Sequence, residues 1–464
     1  MKNLLLRIML PMLLLASISN QTIGQVPTAL SDVLQFKLDS VRIEENLKGV
    51  SSAIVIPGLG TWLGVSGISH AGVDIAPDFR FTIASNTKTY TSVLLLKLQE
   101  LGVLDLDDEI GTWLPGLSVP NIDPTVTIRQ LLKHTSGIYN INDWIGYKDS
   151  LNGGPLTPDY DRYWTTDELF EMVGPAYFPK GTAYHYSNTN YILAGMIIES
   201  STGSSFSNQL HSLILTPGGL SETYVEGEEP VPGNIAHPWD NGSVTFTTGD
   251  IFALPRTSFN SHGRTAGCIK ATAQDQAKWY QYIFNGGCLN ASSINELLDV
   301  YAISPVYGYG LGMMRDSYTF PPHVYYFHSG NFDNVSTTII DSIHNVSICL
   351  QINESSTSIG SKPYAHILLK TVLKFMDVNS GLVDSYVDAS LDVKIYPVPA
   401  REVCFLDVVS ETDYSVELCD VFGKVIITGQ NLTELNLDAL DQGIYFVKIE
   451  DDMGRQITRR LQVE

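Results

Sequence analysis

From residue 30 onward the apolar positions fall at helical spacing, with Leu30, Val33, Leu34, Leu38 and Val41 on one face. This predicts an amphipathic helix over 30–48. Two strand-like runs follow, 51–56 and 60–68, about a Pro57-Gly58 turn. A short apolar approach at 79–84 leads into 85–101, where Val93, Leu94, Leu95, Leu96 and Leu98 make the segment apolar nearly all round. Such a helix has no face to give to water, so it is expected to be a buried central element. Residues 105–300 read as helix-rich, broken by Gly and Pro turns. After Tyr307 the period changes to runs at 309–314, 324–328, 335–341 and 346–352, which predict strands, and 364–375 predicts a last helix. Strands near both ends of 30–375 with helices between them fit an α/β domain. Its sheet would join N- and C-terminal strands, with a helical subdomain inserted in the middle.

Beyond Val378 a polar stretch, 379–392, reads as a linker. The tail, 393–464, holds β-rich runs at 403–409, 415–421, 424–428, 443–449 and 456–463. That is the pattern of a small β-sandwich of a size that can fold alone.

Composition changes this picture in a few places. Acidic residues outnumber basic ones by 50 to 28 among 464 residues, and the formal charge of −22 excludes nucleic acid as a partner, because phosphate neutralisation needs a basic face. Lys2 and Arg7 precede or interrupt an apolar run over 4–18, and Thr22 and Gly24 suit cleavage before Gln25. Residues 1–24 are therefore expected to be a signal peptide, and the mature protein, 25–378 with its tail, to be exported. Export permits disulfides. Cys404 and Cys419 sit on neighbouring predicted strands and could pair; Cys268 with Cys288 is a second pairing, and Cys349 reads as a buried thiol. No cysteine–histidine cluster has zinc spacing, so neither metal nor cofactor is expected.

Three short motifs carry chemistry. Ser85-Asn86-Thr87-Lys88 puts a hydroxyl and an amine one turn apart at a helix start. A serine needs a neighbouring base to become a nucleophile, and a desolvated lysine can serve. By itself the motif is equally a surface helix with a serine cap. Tyr186-Ser187-Asn188 offers a proton shuttle and an amide-binding side chain, or else an aromatic loop packed on the core. His328-Ser329-Gly330 ends a predicted strand, where a strand edge can pair with an extended substrate and glycine allows close approach. The plainer reading of His328 is a satisfied core histidine.

Taken in this order, the three motifs make the chain resemble the serine β-lactamase and DD-peptidase superfamily, in its class C β-lactamase, DD-carboxypeptidase and esterase branch. The stretches 81–85, 101–108, 127–137, 266–267, 272–275 and 307–312 resemble it too, so the likeness covers about residues 30–375. It implies a β-lactamase/transpeptidase-like fold, an antiparallel sheet flanked by helices. It also implies Ser85 as the acylated nucleophile, Lys88 as its base, Tyr186 in proton transfer and Asn188 on the substrate amide. The backbone N–H groups of Ser85 and Asn331 would form the oxyanion hole beside His328, Ser329 and Gly330. His134, Asp275 and Gly267 are read as structural. His328 stands where most β-lactamases have lysine. A histidine, only partly charged near neutral pH, clamps a carboxylate less firmly, which favours a peptidase or esterase.

The tail resembles the C-terminal sorting domain of the type IX secretion system through 394–400, 420–424 and 443–449, with Val398 replacing the usual Asn. This implies passage across the outer membrane and a secreted or cell-surface location, with the secretion machinery as a partner. The expected function is hydrolysis through a serine acyl-enzyme. Its substrate would be a small peptide or ester, a D-alanyl-D-alanine peptide such as the peptidoglycan stem peptide among them. The alternatives are a class C-type β-lactamase, a non-catalytic penicillin-binding-like module, and an adhesion role for the tail. The loops 139–180 and 236–262, with Trp144, Trp164 and Trp239, are expected to wall the pocket.

Overall fold

The computed structural model describes residues 25–152, 158–245, 247–317, 319, 323–355, 361–380, 392–409, 412–420, 425–452 and 456–463. The expected signal peptide and most of the expected linker lie outside the described residues. The chain divides into two compact units, one running to Lys374 and one from Phe375 to Glu464.

In the first unit the opening helix, Thr28–Glu44, buries Leu30, Leu34, Leu38 and Val41. Val33 stays on the outer side, so the buried stripe is narrower than the sequence pattern. The strands that follow, Gly49–Ile56 and Gly60–His70, form a hairpin. Gly49–Ile56 then pairs on its other side with Ser347–Ile352, nearly three hundred residues later, in a register that sets Ala53 opposite Cys349. This is the predicted junction of N- and C-terminal strands. Among the described residues the sheet has nine strands, all antiparallel. From one edge their order is Val73–Asp74, Gly60–His70, Gly49–Ile56, Ser347–Ile352, Val335–Asp341, Tyr325–Asn331, Met314–Asp316, Tyr307–Tyr309 and Tyr301–Ser304.

One predicted strand, 309–314, is instead a reversal. Tyr307–Tyr309 and Met314–Asp316 pair with each other, and the Gly310 N–H donates to the Met313 carbonyl at 2.7 Å. Gly312 has φ +78°, and a Cβ there would lie 2.5 Å from Ser92 Oγ, so only glycine makes the turn. Apolar content alone does not separate a strand from a turn pressed against a core.

The helix Thr87–Glu100 is buried on every side, as its composition predicts. Its Val93, Leu94, Leu95 and Leu96 belong to one large apolar cluster with Leu193, Ile197, Phe206, Trp279 and Ile283. Each such side chain contributes about 1.5–3 kcal/mol by leaving water. The helices Asn188–Thr202 and Thr257–Gly267 pack beside it, and Ala273–Phe284 lies across the sheet strands. The last helix is Lys362–Ser380, longer than its predicted span.

The second unit holds two antiparallel sheets, Asp392–Tyr396, Val403–Val409 and Glu434–Asn436 in one, and Val425–Gln430, Tyr414–Cys419, Gly443–Asp451 and Gln456–Val463 in the other. They share a core of Leu406, Val416, Leu418, Leu435, Val447, Ile449 and Leu461. The strands at 392–396 and 434–436 escape a sequence reading because they are short and partly polar. All five cysteines are free thiols, contrary to both expected pairings. Cys404 and Cys419 belong to different sheets, so they are not strand neighbours.

Candidate active site

Ser85 sits in the 3-10 turn Ala84–Asn86 that feeds the buried helix Thr87–Glu100. Ala84 takes φ +47°, a left-handed conformation that a non-glycine residue adopts at a cost. The turn is fastened by Asn86, whose Nδ2 donates to the carbonyls of Ile83 at 3.0 Å and Ser336 at 3.1 Å. One helical turn on, Lys88 is fully buried, with Nζ 3.0 Å from Ser85 Oγ. The same amine donates to the Ala266 carbonyl at 2.8 Å and lies over the rings of Tyr186 (5.0 Å) and Tyr191 (5.5 Å). Burial holds its pKa well below the ordinary lysine range. The amine therefore gives up its proton more readily than an exposed lysine, next to a serine hydroxyl.

Burial pushes the Tyr186 pKa above the phenol range, so it is a neutral proton donor. Its loop is held by His134. The Ser187 N–H donates to His134 Nδ1 at 3.1 Å, and the His134 ring sits 4.3 Å from that of Tyr186. Asn188 begins the helix Asn188–Thr202, and its backbone N–H donates to Asn140 Oδ1 at 3.0 Å. The Asn188 side-chain Oδ1 is buried without a hydrogen-bond partner. A buried acceptor in that condition is costly, and a substrate N–H would satisfy it.

The strand Tyr325–Asn331 supplies the third motif, and the side chains alternate across it. His328 is 1% exposed; its Nε2 lies 3.1 Å from the Tyr309 hydroxyl and its Nδ1 is 2.7 Å from the Ser329 carbonyl. Burial, followed by the nearby Lys88, lowers its pKa to about 3. His328 is thus uncharged at neutral pH, not partly charged as the sequence suggests. Ser329 Oγ turns to Thr337 Oγ1 at 2.9 Å. At Gly330 the backbone touches the nucleophile turn, because a Cβ would lie 2.1 Å from the Ile83 carbonyl oxygen and 2.9 Å from Ser85 N. Residues 328–331 pair on one side with the strand Val335–Asp341, while the register of Met314–Asp316 on the other side stops at Phe327.

Ser85, Asn188 and Asn331 share one cleft with Asn142, Tyr147, Arg256, Phe259, Asn260, His262 and Phe332. Lys88, Tyr186 and His328 are not in its lining. Trp164 is buried with its indole donating to Ser258 Oγ, and Trp239 donates to the Ser69 carbonyl, so neither expected tryptophan walls the cleft, nor does Trp144. The aromatic walls are instead Tyr147, Phe259 and Phe332. Beneath them Arg256 pairs with Glu226 and Asp333, and Lys270 lies 3.5 Å from Glu226. The stretches 142–147 and 256–262 fall within the expected loops 139–180 and 236–262; no short motif singles out their lining residues, and folding brings 331–332 beside them. Asp275 accepts from the Glu222 N–H and the Thr223 hydroxyl, a structural contact. Gly267 joins the cleft lining next to Ala266.

The arrangement can raise a nucleophile, hold an amide and relay a proton without any metal ligand set; among the described residues no group of metal-binding side chains occurs. Known proteins resemble the chain as a whole. The chain is 31% identical over 290 residues to penicillin-binding protein 4 of Amycolatopsis lactamdurans, covering 56% of this chain and 71% of that one. It is 31% identical over 175 residues to penicillin-binding protein 4* of Bacillus subtilis, where the match spans only 37% of the relative's length and 38% of this chain. The solved D-stereospecific amidohydrolase of Streptomyces sp. superposes with a TM-score of 0.61 at 28% identity, over 71% of this chain and 94% of that one. The secretion system C-terminal sorting domain model matches residues 394–464, which marks the protein for secretion or the cell surface, and no described helix is long and apolar enough to cross a membrane. The beta-lactamase family model matches residues 43–368, and the protein belongs to that family of serine-hydrolase-fold enzymes.

Proposed function

We propose that the protein is an exported serine hydrolase that cleaves a D-acyl amide, peptide or ester through an acyl-enzyme on Ser85. The observation that carries this reading is the fully buried Lys88 amine 3.0 Å from Ser85 Oγ. As Ser85 attacks the substrate carbonyl, Lys88 takes its proton. The N–H groups of Ser85 and Asn331 hold the oxyanion. Tyr186 passes a proton to the departing amine or alcohol, and Asn188 Oδ1 accepts from the donor's amide. Water then attacks the acyl-enzyme, Lys88 and Tyr186 relay protons in reverse, and the product acid leaves with Ser85 restored.

D-alanyl-D-alanine carboxypeptidase and esterase activity both fit this machinery. The uncharged His328 favours the second, because a carboxypeptidase must hold a terminal carboxylate and this side chain offers it no cation. The D configuration is supported by the amidohydrolase likeness. The tail is read as the segment that the type IX machinery recognises.

Intact-mass measurement after exposure to a penicillin, with Ser85→Ala as control, tests the reading. A penicilloyl adduct that requires Ser85 is expected. A long-lived adduct marks a DD-peptidase, and a transient one with drug consumed marks a β-lactamase. An adduct still formed by Ser85→Ala, or no adduct together with no turnover of simple esters, would sink it in favour of a non-catalytic binding module.

A further inference from the structure

The cleft wall contains Ser85 but neither Lys88 nor Tyr186. Asn188, proposed above to accept from the donor's amide, lines the cleft beside Ser85, so the cleft receives the acyl-donor half of the substrate. Three aromatic rings face that half. Phe259 is 2% exposed, fixed against Tyr160 at 5.8 Å, and meets Phe332 edge-on at 5.4 Å; Tyr147 stands in the same lining. Edge-to-face sites of this kind suit a further ring.

Charge narrows the donor further. Among the described lining residues Arg256 is the one permanently charged side chain, and Glu226 and Asp333 pair with it. His262 is buried with Nε2 3.1 Å from Ser150 Oγ and Nδ1 3.0 Å from the Ser258 carbonyl, and burial lowers its pKa to about 4. A free α-ammonium beside the scissile carbonyl would find no carboxylate in this lining, and an acidic side chain would find no spare cation. Burying either unpaired is costly. Asn142, Tyr147, Asn331 and Phe332 also wall an adjoining cavity that reaches Lys148, Ser243 and Ser355, so a donor chain has room to continue past its first residue, where the Lys148 amine donates to the Gly242 carbonyl at 2.6 Å.

We infer that the cleft is an acyl-donor subsite for an uncharged residue with an aromatic side chain, whose α-nitrogen is acylated and not a free ammonium. The inference rests on the serine-hydrolase reading above and adds the identity of the donor.

The test is proton release from racemic methyl esters of N-acetylphenylalanine, phenylalanine, N-acetylalanine and N-acetylglutamate, using the full chain. N-acetylphenylalanine ester is expected to exceed each of the others by at least about tenfold in kcat/KM. In Phe332→Ala the phenylalanine-to-alanine ratio is expected to fall toward unity, while turnover of the N-acetylalanine ester reports that the variant is folded. Equal or faster turnover of the free-amine or glutamate ester overturns the subsite, as does an unchanged ratio in Phe332→Ala. If none of the esters is hydrolysed, or Ser85→Ala hydrolyses them as fast, the serine-hydrolase reading itself fails and the subsite with it.

Discussion

At Lys88 an amine is kept from water with a serine hydroxyl and a backbone carbonyl for company. Its folded pKa lies below the ordinary 10.5, so between those two values the unfolded chain holds a proton that the native chain has shed. Stability therefore rises with pH across that window, and burying the charged form costs most below it. Lys88→Met should cut ester kcat/KM by about a thousandfold, because the proposed general base is gone. The same variant should lose less stability on acidification than the parent; parallel melting curves against pH would show it. His328 is depressed in the same direction, to about 3. The stability it contributes as a neutral ring is present above the ordinary histidine value of 6.5 and is lost as pH falls toward the folded value. Its ring proton resonances should stay fixed between about pH 5 and 8, where an exposed histidine moves. A titration there would show that the ring can serve as a carboxylate clamp after all.

At the level of elements, the proposed site depends on the strand Tyr325–Asn331 lying directly on the Ser85 turn. Gly330→Ala would drive a Cβ into the Ile83 carbonyl oxygen and against Ser85 N. A loss of about 1–3 kcal/mol in stability is expected from the overpacking, and hydrolysis should fall by at least about a hundredfold as the oxyanion donors separate. Denaturant melts with burst kinetics would separate the two effects; unchanged turnover would mean that the strand does not position the serine. Such close approach is legible in sequence as a glycine after a β-run, and so are the order of the three motifs and the all-apolar helix behind Ser85. The cleft walls are legible only as loops: Asn142, Tyr147, Arg256, Phe259, Asn260 and His262 fall within the expected 139–180 and 236–262, whereas Phe332 does not. Which aromatics line the cleft is not legible, because nothing local distinguishes Tyr147 and Phe259, each in a helix, or Phe332 from the three tryptophans outside its lining. The 309–314 run misleads for a related reason. Its side chains are as apolar as a strand's, yet Gly310 and Gly312 bend it under the nucleophile helix.

For the whole molecule, the two units have separate apolar cores. A chain confined to residues 25–380 should hydrolyse the same ester within about twofold of the full chain, because a unit with its own core folds by itself. The same truncation should strand the protein inside the envelope, since the sorting domain is lost. Fractionation of cells beside an activity assay reads both outcomes. Loss of activity on truncation would show that the tail takes part in the site.

A neutral cleft in a chain of formal charge −22 also governs encounter. Arg256 in the lining is paired with Glu226 and Asp333, while the surrounding surface repels anions at long range. An uncharged ester should arrive at a rate that ignores ionic strength. An acidic wall fragment should arrive faster as added salt shortens the reach of that repulsion. The protein would thus discriminate among substrates before any of them touches Ser85, and brine or fresh water would set how sharply.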